Sequence, residues 1–170
     1  MSYALVHFLT VDTRQIDELR RKYDPQVDLI APHITIVFPV PDSLGKSPLV
    51  SHVVKVLRDS KQFSISLQGL EQSWDNCLFL LLQEGRTEVI RLHDDLYTGI
   101  LTPFIRRDIP YVPHVTLGAF ANDAKRCSDA LRDSKRLGLR YRWVVDRLHL
   151  VKVNDDLSRI TREEEFLLER

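Results

Sequence analysis

The apolar positions change period several times along the chain, and each change marks an element. Tyr3 to Val11 is apolar and β-prone, and Asp12-Thr13 then offers a helix start to a pattern that places Ile16, Leu19 and Tyr23 on one side. Asp24-Pro25 stops that helix, because proline restricts the residue before it. Leu29-Ile30-Ala31-Pro32 leads into the β-branched run His33 to Phe38, closed by Pro39 and Pro41, which predicts a second strand. Ser47-Pro48 reads as an N-cap with proline at the first helical position, and Leu49, Val53, Val54, Val56 and Leu57 give this helix an apolar face to about Ser60. Phe63 to Leu67 then alternates apolar and polar residues, the signature of a half-buried strand.

From residue 77 the same order returns. Cys77 to Leu82 is a strand, Val89, Ile90, Leu92, Leu96 and Tyr97 mark a helix, and Val112 to Phe120 is a β-prone segment introduced by proline. A helix from about Asp123 to Leu137 ends at Gly138, a left-handed cap, and a long strand is expected from Leu139 to Val153. Asn154-Asp155-Asp156 reads as a turn, so the tail Ile160 to Leu168 closes a terminal hairpin. The expected fold is α+β: one domain, residues 1–170, of two pseudo-symmetric β-α-β-α-β lobes (about 1–75 and 76–170) around a sheet-lined cleft, with helices outside. Leu57-Arg58-Asp59-Ser60-Lys61 recurs verbatim as Leu131-Arg132-Asp133-Ser134-Lys135, and the two His-containing strands are spaced so as to place a short insertion within Leu101 to Tyr111.

A chain of 170 residues, 44% apolar, buries roughly 70% of its unfolded surface without staples. With 24 Lys+Arg against 24 Asp+Glu, bulk charge does not favour indiscriminate binding to nucleic acid or anionic membrane. Cys77 and Cys127 form no C-x-x-C pair, which excludes a disulfide scaffold and a cysteine-rich zinc site. The N-terminus lacks a basic region followed by a long apolar stretch, and the longest apolar run is far short of a membrane span, so a cytoplasmic location with no membrane partner is expected.

The chemistry concentrates in Pro32-His33-Ile34-Thr35-Ile36 and Pro113-His114-Val115-Thr116-Leu117. On a strand, residues i and i+2 share a face, so each motif presents an imidazole beside a hydroxyl while its branched residues face a hydrophobic layer. Two such strands across a pseudo-dyad suit in-line attack at phosphorus, with a neutral imidazole taking a proton and a protonated one delivering a proton to the departing oxygen. The threonine hydroxyls would donate to non-bridging phosphoryl oxygens. One H-x-T carries no signal; two proline-introduced copies, one per half, do.

This double motif resembles the 2H phosphoesterase superfamily, which includes the 2′-5′ RNA ligase and RNA 2′,3′-cyclic phosphodiesterase proteins, and Lys22-Tyr23-Asp24-Pro25 resembles its small bacterial branch. The resemblance implies His33 and His114 as the catalytic pair, Thr35 and Thr116 as phosphate ligands, no metal or other cofactor, and a nucleotide or RNA-end phosphodiester as the substrate partner. His114 is expected as general base toward water and His33 as general acid toward the leaving ribose oxygen. The competing readings are an RNA-end or nucleotide-binding module using the same cleft without turnover, and a metal-dependent hydrolase, for which no carboxylate cluster accompanies either histidine.

The remaining candidates have bland alternatives. His7 reads as a core histidine with one hydrogen bond; His52, His93 and His149 read as surface or rim residues. Arg106 and Arg107 lie in the insertion, where a guanidinium can reach a phosphate or simply be solvated, with Phe104 or Tyr111 placed to stack on a base. Phe120 shares the parity of His114 and Thr116 and is the better stacking candidate, while Gly118 leaves room for a phosphate or sugar; Trp74 and Trp143 read as packing residues. Phe120 to Lys152 holds nine Lys/Arg against four Asp, either a patch that guides an RNA strand or a wet helix face balanced by Glu163-Glu164-Glu165. No obligate protein partner is implied.

Overall fold

The strands and helices follow the order that the periodicity predicts. The computed structural model describes residues 1–156 and 158–170. In chain order they are β1 (Ser2–Phe8), α1 (Arg14–Tyr23), β2 (His33–Pro41), α2 (Lys46–Leu57), β3 (Phe63–Gln72), β4 (Cys77–Leu82), α3 (Arg86–Leu96), β5 (His114–Ala119), α4 (Ala124–Leu137), β6 (Tyr141–Val145), β7 (Arg147–Val153) and β8 (Ile160–Leu167). They form two four-stranded sheets, β2-β1-β7-β8 and β5-β4-β3-β6, in which every pairing is antiparallel. The fold is therefore α+β, as expected. Among the described residues, no helix is long and apolar enough to cross a membrane.

The sheets draw strands from both halves of the chain. The boundary near residue 75 falls in the turn between β3 and β4, which pair with each other, while β7 and β8 return to the sheet of β1 and β2. The lobes are thus built from exchanged strands rather than from contiguous halves. The long strand expected from Leu139 to Val153 is in fact two strands in different sheets. β6 alternates buried and exposed residues, so one face is covered, whereas Leu148 to Val151 are all buried beside β1. The change occurs at Asp146-Arg147, a salt-bridged pair that cannot sit between two apolar layers, and Asp146 spends its carbonyl on the Leu168 N–H.

The helices are exchanged as well. α1 connects the two strands of one sheet but packs against β5 and α4 of the other, and α3 crosses the opposite way onto β2 and α2. Ile16, Leu19 and Tyr23 of α1 and Val89, Leu92 and Leu96 of α3 are buried in one core with Ile34, Ile36, Val115 and Leu117. Ala4, Val6 and Phe8, on the other face of β1, pack in a smaller cluster with Ile30, Val151 and Val153.

Two local expectations change. α2 begins at Lys46 behind Gly45, so Pro48 is its third residue rather than its first, still within the turn where a missing N–H costs nothing. The repeated pentapeptide is not a structural repeat, because Leu57 ends α2 while Leu131 to Lys135 lie inside α4. The left-handed cap at Gly138 is present, with φ +58°.

Gly118 is explained by packing, not by room for substrate. A Cβ there would lie 2.6 Å from the Phe120 ring and 3.0 Å from the Tyr23 carbonyl oxygen, so the absent side chain is what lets the end of α1 sit on β5. Gly118→Ala is expected to destabilise the fold by about 1–3 kcal/mol, the usual cost of overpacking a filled core. Urea unfolding measures it, and an unchanged midpoint would refute this account of the α1–β5 contact.

Candidate active site

His33 and His114 open β2 and β5, strands at one edge of each sheet that approach each other. Both are introduced by a buried proline, Pro32 or Pro113. Proline forces an extended conformation on the residue before it and offers no N–H of its own. The carbonyls of Ala31 and Val112 are thereby free, and each accepts from the imidazole two residues on: His33 Nδ1 lies 2.9 Å from the Ala31 oxygen and His114 Nδ1 lies 2.6 Å from the Val112 oxygen. A carbonyl can only accept, so Nδ1 carries the proton and Nε2 keeps its lone pair. The proline carbonyls complete the arrangement by accepting from Leu9 N–H and Leu82 N–H, each at 3.2 Å.

Each motif strand carries a β-bulge at the same place. Leu5 and Val6 face Val37 and Thr35, leaving Ile36 as the extra residue; Leu78 and Phe79 face Gly118 and Thr116, leaving Leu117. The bulges increase local twist three residues after each histidine. Ile36 and Leu117 are buried, and the His and Thr of each motif are turned to the other face, half-buried. All four of the expected residues, His33, Thr35, His114 and Thr116, line one cleft of about 270 Å³ together with Arg20, Asp24, Pro25, Gln26, Phe38, Cys77 and Ala119.

The cleft is low in polarity around its imidazoles. Phe79 stacks on His114 with ring centroids 3.4 Å apart, and Phe8 meets His33 edge-on at 6.1 Å. Burial pushes both imidazoles below their ordinary value, His114 to about 4, and His33 itself adds to the lowering at His114.

Two supports of the site escape a reading of motifs. Arg20 on α1 is 2% exposed; its Nε donates to Asp24 at 2.7 Å and its Nη2 to the Ile30 carbonyl at 2.8 Å, clamping the segment that carries Ala31 and His33. The signal was the spacing, since position 20 falls on the same helix face as Ile16 and Tyr23. Along the outer edge of β2, His93 Nδ1 donates to the Ile36 carbonyl and Tyr111 to the Thr35 carbonyl, at 2.8 and 2.7 Å, while Tyr97 accepts from Phe38 N–H at 3.0 Å. Tyr111 stacks on His93 with centroids 3.7 Å apart. These side chains occupy an edge that would otherwise expose unpaired backbone.

Other expectations resolve differently. His93 and His149 are buried, not at the rim; His149 packs edge-on against Phe8 and contacts Glu165 at 3.1 Å. His52 is half-buried on the Leu96 carbonyl. His7 is a core residue, as expected: Nδ1 donates to the Arg147 carbonyl and Nε2 accepts from the Trp143 indole, both at 2.8 Å. Trp143 is thus a packing residue, whereas Trp74 is 72% exposed. Arg106 is paired with Asp108, and neither it, Arg107 nor Tyr111 lines the cleft. Phe120 is buried against Tyr23 and is no stacking surface. On α4, Arg132 pairs with Asp129 and Asp133, so part of the basic run is neutralised locally. Among the described residues, no group of three or more His, Cys, Asp or Glu is placed to hold a metal ion.

Comparison with known proteins places these features in context. A sequence model described as the 2′-5′ RNA ligase superfamily matches residues 10–157. A Bacillus licheniformis protein named "Putative phosphoesterase" is 29% identical over 161 residues, covering 93% of this chain and 94% of the relative. A Bacillus cereus protein of the same name is 28% identical over 137 residues, 78% of this chain and 77% of the relative. The fold matches Escherichia coli LigT in crystals with 3′-AMP (TM-score 0.70) and with NADP+ (TM-score 0.69), each at 18% identity over 99% of this chain and 98% of that one.

His7, His33, His93, His114 and His149 are all held below the ordinary imidazole value, with burial the first cause in each. The unfolded chain binds protons near pH 6.5 that the folded chain refuses, so their contribution to stability is fully present above that pH and is lost as pH falls below it. The melting temperature is expected to drop between about pH 7 and about pH 5 at constant ionic strength. A flat or rising Tm over that interval would contradict the neutral burial of these rings.

Proposed function

The chain belongs to the 2′-5′ RNA ligase superfamily, and we propose that it is a phosphodiesterase that opens 2′,3′-cyclic phosphates of RNA ends or nucleotides by general acid and base catalysis from His33 and His114. The observation that carries this reading is the symmetry of the anchoring: two imidazoles in one cleft, each with Nδ1 held by the carbonyl two residues before it, Nε2 free, and a threonine hydroxyl at i+2. Nε2 of one ring takes the proton of the attacking water, and Nε2–H of the other delivers a proton to the ribose oxygen as the P–O bond breaks. Thr35 and Thr116 donate to the non-bridging oxygens, where negative charge builds. His114, which burial holds neutral down to about pH 4, suits the base, which leaves His33 as the acid. The relatives named as phosphoesterases and the binding of 3′-AMP by LigT support a nucleotide-type phosphodiester.

A 2′,3′-cyclic mononucleotide or a short RNA ending in a cyclic phosphate, assayed in excess EDTA, tests the reading. His33→Ala and His114→Ala are each expected to lose about 10²–10⁴ in kcat, and Thr35→Val or Thr116→Val about 10², with folding unchanged by circular dichroism. Tight binding of phosphate-ended oligonucleotides by well-folded protein, with no product after long incubation, would replace this reading by a binding module; loss of turnover in EDTA with recovery on added metal would replace the mechanism.

The pH dependence adds a second test. Because both imidazoles are lowered in the free protein, kcat/KM is expected to follow a bell whose limbs lie below about pH 6.5. A bound phosphodiester anion favours the protonated ring, so the acid in the complex titrates higher and the kcat profile moves alkaline of the kcat/KM profile. Coincident profiles, or a kcat/KM flat from about pH 4.5 to 8 with chemistry rate-limiting, would count against the two-imidazole mechanism.

A further inference from the structure

We propose that Trp74 is the stacking platform for the nucleobase of the substrate, an inference that rests on the reading of the cleft given above. The two ends of the cleft are unequal. Phe38 stands five residues after His33 and lines the cleft; the matching position after His114 is Ala119, which lines it too. One end has a phenyl wall, and the other has a small side chain. Cys77 lines that same end and pairs directly with Ala119, and the chain immediately before Cys77 is the turn of Ser73 to Asn76 that carries Trp74.

The turn is ordered by its own hydrogen bonds. Ser73 N–H donates to the Cys77 carbonyl at 2.8 Å, Cys77 N–H to Ser73 Oγ at 3.0 Å, and Asn76 N–H to the Ser73 carbonyl at 3.2 Å, while Ser73 Oγ also donates to Asp75. Asn76 adopts φ +60°, and its carbonyl accepts from Phe120 N–H at 2.9 Å, tying the turn to the end of β5. Trp74 thus projects from a fixed support with 72% of its surface in water. The turn adjoins the cleft through Cys77, which lines it, while Trp74 itself stands just outside the residues that line the cleft.

Among the described residues, no other aromatic ring at this end is free for the task. Phe120 is 4% exposed, Trp143 is buried against His7, and Phe79 is committed to His114. A neutral indole stacks on any base through its π-face, and the larger face of a purine gains more than a pyrimidine. Trp74 is therefore a specificity residue on the nucleoside side of the phosphorus, without a part in proton transfer.

Tryptophan fluorescence of the intact protein during titration with 2′-AMP, 3′-AMP or inorganic phosphate tests this directly. Both nucleotides are expected to quench the exposed indole and phosphate alone is not; Trp74→Ala should lose the quench and bind both nucleotides about tenfold more weakly, while Trp74→Tyr stays within a few fold of wild type. In turnover, Trp74→Ala should raise KM for adenosine 2′,3′-cyclic phosphate with kcat little changed, and leave kcat/KM for glycerol cyclic phosphate, which has no base, at the wild-type value. Nucleotide affinity unchanged in Trp74→Ala would overturn the platform while leaving the histidine mechanism intact. A Trp74-dependent quench in a protein that hydrolyses no cyclic phosphate would uphold the platform and overturn the hydrolase reading. Equal losses on the base-free substrate would show that Trp74 acts through folding or through the cleft itself, and would overturn the assignment.

Discussion

The bond from each cleft imidazole to the carbonyl two residues before it is the constraint on which the site depends. It fixes the ring, assigns the proton to Nδ1 and leaves Nε2 with its lone pair. It exists because Pro32 and Pro113 hold Ala31 and Val112 extended and do not compete as donors. A four-residue phrase, Pro-His-apolar-Thr, therefore encodes its own second layer of support, and the chain contains it twice. What the phrase does not encode is the meeting of its two copies, since each lies on a different sheet.

That meeting is secured by exchange. α1 and α3 each leave the sheet that their flanking strands form and pack on the motif strand of the other, so neither sheet has a complete apolar layer alone. Splaying the sheets apart would strip both helices from their partners at once. The gain in apolar burial from Ile16, Leu19, Val89, Leu92 and Leu96 therefore also holds the cleft closed to its working width. The Arg20–Asp24 pair adds a polar clamp to the same contact. Removing one partner of so buried a pair leaves a bare charge at a cost of about 3–5 kcal/mol, so the segment leading to His33 has little freedom to drift.

The sequence patterns revealed the elements and the motif residues because both are local. Apolar period two, the proline punctuation and the i, i+2 pairing of His with Thr act within a few residues, and the structure places His33, Thr35, His114 and Thr116 in one cleft. The assignment of strands to sheets is not local, and there the expectation of contiguous lobes gave way. The break at Asp146-Arg147 was visible as two charged residues within an apolar run, but only pairing with β3 and β1 decides which side goes to which sheet. His93 shows the same limit. Its charged neighbours on α3 suggested a rim position, while its actual partners, the Ile36 carbonyl and the Tyr111 ring, lie far off in sequence. Trp74 erred in the other direction, because a tryptophan is apolar enough to be assigned to a core unless the turn that exposes it is known.

The charge balance of the cleft ties these features to its chemistry. The whole chain is neutral, and within the cleft the one lining arginine, Arg20, is already matched by Asp24. The ion pair with Asp24 offsets the charge of Arg20 but leaves its buried Nη1 without a hydrogen-bond partner among the described residues, and the proposed reading adds two threonine hydroxyls and a protonated imidazole as donors to the anion. Burial lowers both imidazoles, so in the proposed reaction the proton that makes one of them an acid becomes favourable as the phosphodiester brings its own negative charge beside the ring. Substrate and proton are linked ligands: each raises the affinity for the other by the same factor. A cleft with an additional unpaired arginine would bind anions more strongly but would hold the imidazoles neutral, trading acid catalysis for affinity. The Arg20–Asp24 pair limits that effect at His33, so in the proposed reaction the substrate anion raises the proton affinity of one imidazole, which takes its proton from solvent.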